Sequence, residues 1–127
     1  MDGMLKRLYV FNYGGPIFVI QINKSKIRIF TRMNHKALLE GMAIVANLVR
    51  RYANDKVFVK PPYVGFFGKN YILVGRVTRD RFAAPALGLI RRIVLKLDEF
   101  GDLPTDYLIR IVLDQMPEKN KYRVEII

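Results

Sequence analysis

At 127 residues, 51% of them hydrophobic and with no low-complexity tract, the chain can build one domain with a real core, and disorder is excluded except at the ends. It has no cysteine, which excludes a disulfide framework, a thiolate metal site and a thiol nucleophile. The net charge of +11 is uneven: residues 1–97 carry 18 Lys/Arg against four acids (Asp2, Glu40, Asp55, Asp80), and residues 98–127 carry four against seven.

A basic body with an acidic end attracts anionic partners, or the end covers the body; the plainer reading is a solvated surface. Abundant Lys, Arg, Ile and Val with no Cys and little Gln suggest a thermophile. The longest apolar runs, such as 82–90, are too short to span a bilayer, and MDGMLKRLYVF has no signal segment with a cleavage site behind it. A soluble, cytoplasmic protein is the expectation.

Leu5–Asn12 reads as a strand, Gly14-Gly15-Pro16 as its turn and Ile17–Ile22 as the returning strand. Their apolar residues are continuous rather than alternating, so both faces of this hairpin should be covered. After the turn Asn23-Lys24-Ser25-Lys26, the segment 27–32 sets Ile27, Ile29 and Thr31 against Arg28, Phe30 and Arg32. That alternation predicts a more exposed strand, or a continuation of the second.

Asn34 is positioned to cap a helix running to about Ala53, with Leu38, Met42, Val45, Val49 and Tyr52 on its apolar stripe and Leu39, Ala43 and Ala46 widening it. Arg50 and Arg51 fall in its last turn. A strand at Val57–Val59 ends at Pro61-Pro62, and strands at Tyr63–Phe67 and Tyr71–Thr78 flank Gly68-Lys69-Asn70. A second helix spans about Asp80 to Phe100, with Pro85 tolerated near its start and Gly101 as C-cap. Thr105 caps a third helix, Asp106–Gln115, and Tyr122–Ile127 is strand-like.

The stretch VGFFGKNYILVGR, residues 64–76, has the outline of a phosphate-binding loop. Such a loop needs an earlier Gly where this chain has Tyr63, Ser or Thr where it has Asn70, and a helix where it has the strand YILVGRV. Gly68-Lys69-Asn70 is therefore a hairpin turn. His35 is the only histidine and Ser25 the only serine, too few for a triad or a histidine metal site. Asp98, Glu99 and Asp102 straddle a helix end, where solvation accounts for them. No catalytic residue, metal or cofactor is assigned, and a non-enzyme is expected.

VFVKPPYVGFFGKNYILVGRVTRDRFAAPALGLIRRIVLKLDEF, residues 57–100, resembles the second half of a longin domain: a strand, a hairpin, then an aspartate leading into a long amphipathic helix. LKRLYVFNYGGPIFVIQI is similar to the longin N-terminal hairpin, and the helix from Asn34 to Ala53 matches the one that follows it. The resemblance covers most of residues 4–115 and rests on topology and hydrophobic pattern. It implies one α/β (α+β) domain over 1–127, with an antiparallel sheet of about five strands, helices on both faces, the order β-β-α-β-β-β-α-α, and a strand-like tail at 117–127. The segments 27–32 and 122–127 depart from that plan. The comparison extends to stand-alone longin-like and roadblock-like modules, which are non-catalytic scaffolds that dimerise and bind small GTPases.

On that basis the expected function is a protein-interaction scaffold or adaptor, with a small GTPase or an archaeal-type, actin-like filament protein as partner and self-association to a homodimer. Its candidate partner-binding residues are Arg91, Arg92 and Lys96 on the second helix and Tyr122, Val124 and Ile126 on the tail, which is a strand to donate to a partner or, as the favoured reading, an added strand in the chain's own sheet. The alternative is nucleic-acid binding by Arg28, Arg32, Arg50, Arg51, Arg76, Arg79 and Arg81, with Tyr63, Phe66 or Phe67 available to stack on bases.

Overall fold

The computed structural model describes residues 3–117 and 119–127, Lys119 by its backbone alone. The strands are β1 (Leu5–Asn12), β2 (Gly15–Ile22), β3 (Lys26–Phe30), β4 (Val57–Lys60), β5 (Tyr63–Phe67), β6 (Tyr71–Val77) and β7 (Arg123–Ile126). The helices are α1 (Leu39–Arg51), α2 (Ala83–Asp98) and α3 (Thr105–Gln115). All seven strands form one sheet in the order β4-β5-β6-β1-β2-β3-β7. Every neighbouring pair is antiparallel except β3 and β7, which run parallel.

The sheet is therefore mixed and two strands wider than the five-stranded antiparallel sheet expected from sequence. The turn 23–26 makes β3 a strand of its own beside β2, and β7 then covers its outer edge. Ile27 and Ile29 are almost wholly buried in the core under α2 and α3, and Phe30 in the core under α1, where alternation alone suggested an exposed strand. β7 is fastened at both ends, with Arg123 N donating to Ser25 O at 2.9 Å and Ile127 N to Ile29 O at 2.8 Å.

The continuous apolar runs of β1 and β2 are buried on both faces, as their composition predicts. Leu8, Val10, Phe18, Ile20 and Leu73 face a core closed by α2 and α3. Tyr9, Phe11, Val19, Phe30 and Val74 face a second core closed by α1. Each such side chain contributes about 1.5–3 kcal/mol by leaving water, so neither layer is dispensable. Among the described residues no helix is long and apolar enough to cross a membrane.

Three helix details differ from expectation. A short 3₁₀ turn at Lys36–Leu38 precedes α1, and its cap is His35 rather than Asn34: His35 Nδ1 accepts from Ala37 N at 3.2 Å. The imidazole also lies 4.9 Å from the Phe30 ring, which keeps it in place. On α1 the stripe closes around Leu38, Val45 and Leu48 with Met42, Val49 and Tyr52 beside them, while Leu39 is exposed. On α3, Thr105 makes no capping hydrogen bond, because the helix starts at that residue.

Candidate functional site

The glycine stretch comes first because its chemistry is settled by local geometry. β5 and β6 are joined by the turn 68–70, and the carboxylate of Asp98, the last residue of α2, closes over it. Lys69 N donates to Asp98 Oδ2 at 2.7 Å and Asn70 N to Oδ1 at 2.9 Å. The amides that a phosphate would need are thus held by the chain's own carboxylate. Asp98 is a turn clamp rather than a merely solvated helix-end acid. Tyr13, at the tip of the β1–β2 hairpin, adds a hydrogen bond from its hydroxyl to Gly68 O at 2.6 Å. Burial pushes the Tyr13 phenol above its ordinary pKa, and the Asp98 charge adds to the rise. A Cβ on Gly68 would collide with Val94, Asp98 and Tyr71 O, so only glycine lets α2 come this close.

At the other end of the sheet a polar row crosses all seven strands. Register pairs Lys60 with Tyr63, Tyr63 with Arg76, Arg76 with Arg7, Arg7 with Gln21, Gln21 with Arg28 and Arg28 with Glu125. Residues paired in this way project from one face, and here it is the α1 face, since Arg7 lies two positions from Tyr9 and Arg76 two from Val74, on the same side of their strands. Arg7 is held in place, with Nη1 donating to Tyr9 Oη at 3.2 Å and Nη2 to Ala37 O at 3.1 Å. Gly41 of α1 leaves the room for this, because a Cβ there would stand 2.6 Å from Tyr9 Oη and 2.7 Å from Arg7 Nη1. Burial raises the Tyr63 phenol pKa, with Tyr9 and Glu40 adding to the rise and Arg76 and Arg7 opposing it.

The outer flank of the row has one carboxylate among its cations. Glu125 lies 3.0 Å from Lys26 Nζ, 3.6 Å from Arg28 Nε and 3.8 Å from Arg123 Nη2. The centre has none: among the described residues neither Arg7 nor Arg76 makes an ion pair, and Arg76 Nε, like Arg28 Nε on the flank, is buried without a hydrogen-bond partner. Beside them opens a cavity of about 650 Å³ lined by Lys6, Arg7, Lys24 and Arg76 with Gln21 and Asn23, and by Leu5, Ile22 and Tyr122 on its apolar side.

The seven arginines of the nucleic-acid reading do not share one surface. Arg28 and Arg76 lie in the row, and Arg79 and Arg81 follow β6 at the same end of the sheet, with Arg81 stacked over Phe82 at 5.1 Å. Arg32 follows β3. Arg50 and Arg51 are carried to the opposite end by α1, where Arg50 lines a cleft with Asn12 and Tyr13 and Arg51 lies 5.7 Å over Tyr52. The stacking candidates Tyr63, Phe66 and Phe67 are buried in the two cores. Sequence reasoning missed Arg7, which stands opposite Arg76. A lone arginine inside the apolar run LKRLYVF was its one visible signal.

On α2, Arg91 and Arg92 are exposed and Lys96 is half-buried. Arg92 Nη2 reaches Gln115 O at 3.4 Å, at the end of α3. Lys96 pairs with Glu99 at 3.3 Å and lies 5.8 Å over the Phe100 ring. On the tail, Tyr122 packs against the α2/α3 core while Val124, Ile126 and Ile127 are exposed at 42%, 66% and 42%. Val124 and Ile126 line a groove of about 510 Å³ with Ile109 and Leu113 of α3.

Compared with protein-family models, with curated proteins and with solved structures, the chain has no significant match.

Proposed function

We propose that this chain is a non-catalytic, longin-like interaction module that engages protein partners through its β7 edge and the adjoining face of α3. The reading is supported by the element order, in which β1-β2-β3-α1-β4-β5-β6-α2-α3 follows the longin plan with β3 added, and by the division of helices between the two faces. The observation that carries it is β7: an edge strand with Val124 and Ile126 exposed beside a groove that joins Ile109 and Leu113 to the polar Asp106, Arg110 and Asp114 of α3. The partner proposed is a small GTPase or an actin-like filament protein, with Arg91, Arg92 and Lys96 of α2 as a basic surface for its acidic groups.

The same edge suits a second copy. In an antiparallel pairing centred on Val124, Arg123 of one chain faces Glu125 of the other, and Val124 faces its own copy. The seven-arginine nucleic-acid surface has less support, because Arg50 and Arg51 sit at the far end from Arg76.

Affinity capture from source lysate under nuclease, with the wild type and Val124→Lys/Ile126→Lys as baits, tests the reading. A small GTPase or filament protein retained by the wild type and lost by the variant is the expected result, with a further loss on charge reversal of Arg91, Arg92 and Lys96. Capture of ribosomal or nucleoid proteins that disappear with nuclease would overturn it. Light scattering on the same two proteins reads self-association.

A further inference from the structure

We infer that the cavity beside Arg7 and Arg76 is a binding site for a small organic phosphate, held by the two guanidiniums and by Lys6 and Lys24. The starting point is a local cost. Arg7 and Arg76 stand directly opposite each other on adjacent antiparallel strands, an arrangement in which like charges repel. Elsewhere in the row the fold supplies a carboxylate, Glu125, for Arg28 and Lys26. At the centre the described residues supply none: Glu40 of α1 acts on Tyr63 but makes no ion pair with either arginine. The cavity lining has four cations and no carboxylate among the described residues.

Two further features make this a receptacle rather than a solvated patch. Arg7 is fixed through Tyr9 Oη and Ala37 O, so part of its ordering cost is met before any ligand arrives. Arg76 Nε is buried with no hydrogen-bond partner among the described residues, so it is open to an anion. Planar arginine forks recognise phosphoryl oxygens in pairs, and flanking lysines add charge without fixing geometry. The volume of about 650 Å³ exceeds what one phosphate fills and lies within the range of small-molecule sites. Leu5, Ile22 and Tyr122 give the non-phosphate part of the ligand an apolar wall. A phosphate ester meets both demands, and bare phosphate meets only one. The reading is independent of the β7 edge.

The test is calorimetric titration of the full chain with ATP, inorganic pyrophosphate, inorganic phosphate and a single-stranded RNA oligomer, at two salt concentrations. Saturable one-to-one binding of ATP tighter than about 1 mM is expected, with inorganic phosphate weaker. Arg76→Gln should weaken it at least about tenfold, Lys24→Gln should weaken it less, and Arg50→Gln should leave it unchanged. Arg76 Nε has no hydrogen-bond partner among the described residues, so this variant should remain folded, which a melting curve checks. Failure of both ATP and pyrophosphate to bind would overturn the inference, as would equal binding by wild type and Arg76→Gln. Binding of the RNA alone, reduced as much by Arg50→Gln as by Arg76→Gln, would also overturn it and return the basic charge to nucleic acid.

Discussion

The two parts of the polar row are built from the same residue types and treated differently by the fold. At the flank, Arg28 and Lys26 share Glu125, a residue brought in by the last strand. At the centre, Arg7 and Arg76 face each other, and among the described residues no acid pairs with either. The flank shows one carboxylate set among three cations, Lys26, Arg28 and Arg123. The centre shows charge left unbalanced although the same device was within reach. Unbalanced charge that is also held in place has the character of a site, because preorganisation serves a ligand and not the fold.

Removing β7, residues 122–127, would break the comparison most severely. It takes Glu125 from the flank and uncovers the edge of β3, where Ile27 and Ile29 are fully buried. A loss of about 2–4 kcal/mol is expected from the exposed isoleucines, read as a lower melting temperature with more aggregation. A tail that is merely frayed would leave melting unchanged. Gly41→Val acts on the centre instead, forcing a side chain against Tyr9 Oη and Arg7 Nη1. Overpacking of this kind costs about 1–3 kcal/mol, and chemical denaturation would measure it.

Smaller effects sharpen the contrast. Arg76→Gln should raise stability by about 0.2–1 kcal/mol, since it relieves a like-charge pair. Lower stability in that variant would mean that Arg76 has structural partners. Glu125→Gln should have the opposite sign and the least effect. The Lys26 hydrogen bond holds the Glu125 carboxyl below the ordinary glutamate range, against a desolvation rise, and the charges of Lys26, Arg28 and Arg123 add to the lowering. A carboxyl lowered in the folded state stabilises the fold above its unfolded pKa and loses that contribution as pH falls through the folded value. Wild type should therefore lose slightly more stability than Glu125→Gln between neutral pH and below the glutamate range, in melting curves taken across that interval.

Much of the layering was legible from sequence. Continuous apolar runs called for cover on both faces of β1 and β2, and Gly68-Lys69-Asn70 declared itself a turn by what followed it. The two added strands were harder to place. β3 has the alternation of an exposed strand and becomes interior only when β7, about a hundred residues later, pairs with it in parallel. A four-residue strand carries no local sign of where it will dock. The same holds for the site. Arg7 and Arg76 are 69 positions apart, and their opposition exists only in the register of β1 with β6. The basic composition pointed to an anion, but no local pattern says which arginines meet.

The clamp at the opposite end of the sheet has a consequence of its own. Asp98 takes the amide hydrogens of Lys69 and Asn70, and Tyr13 ties the neighbouring hairpin tip to Gly68. A turn at the margin of a sheet ordinarily trades its amide hydrogens with solvent quickly. Here deuterium should enter Lys69 and Asn70 slowly, at the pace at which α2 itself lifts from the sheet. These two amides would report the seating of a helix, although they belong to a surface turn.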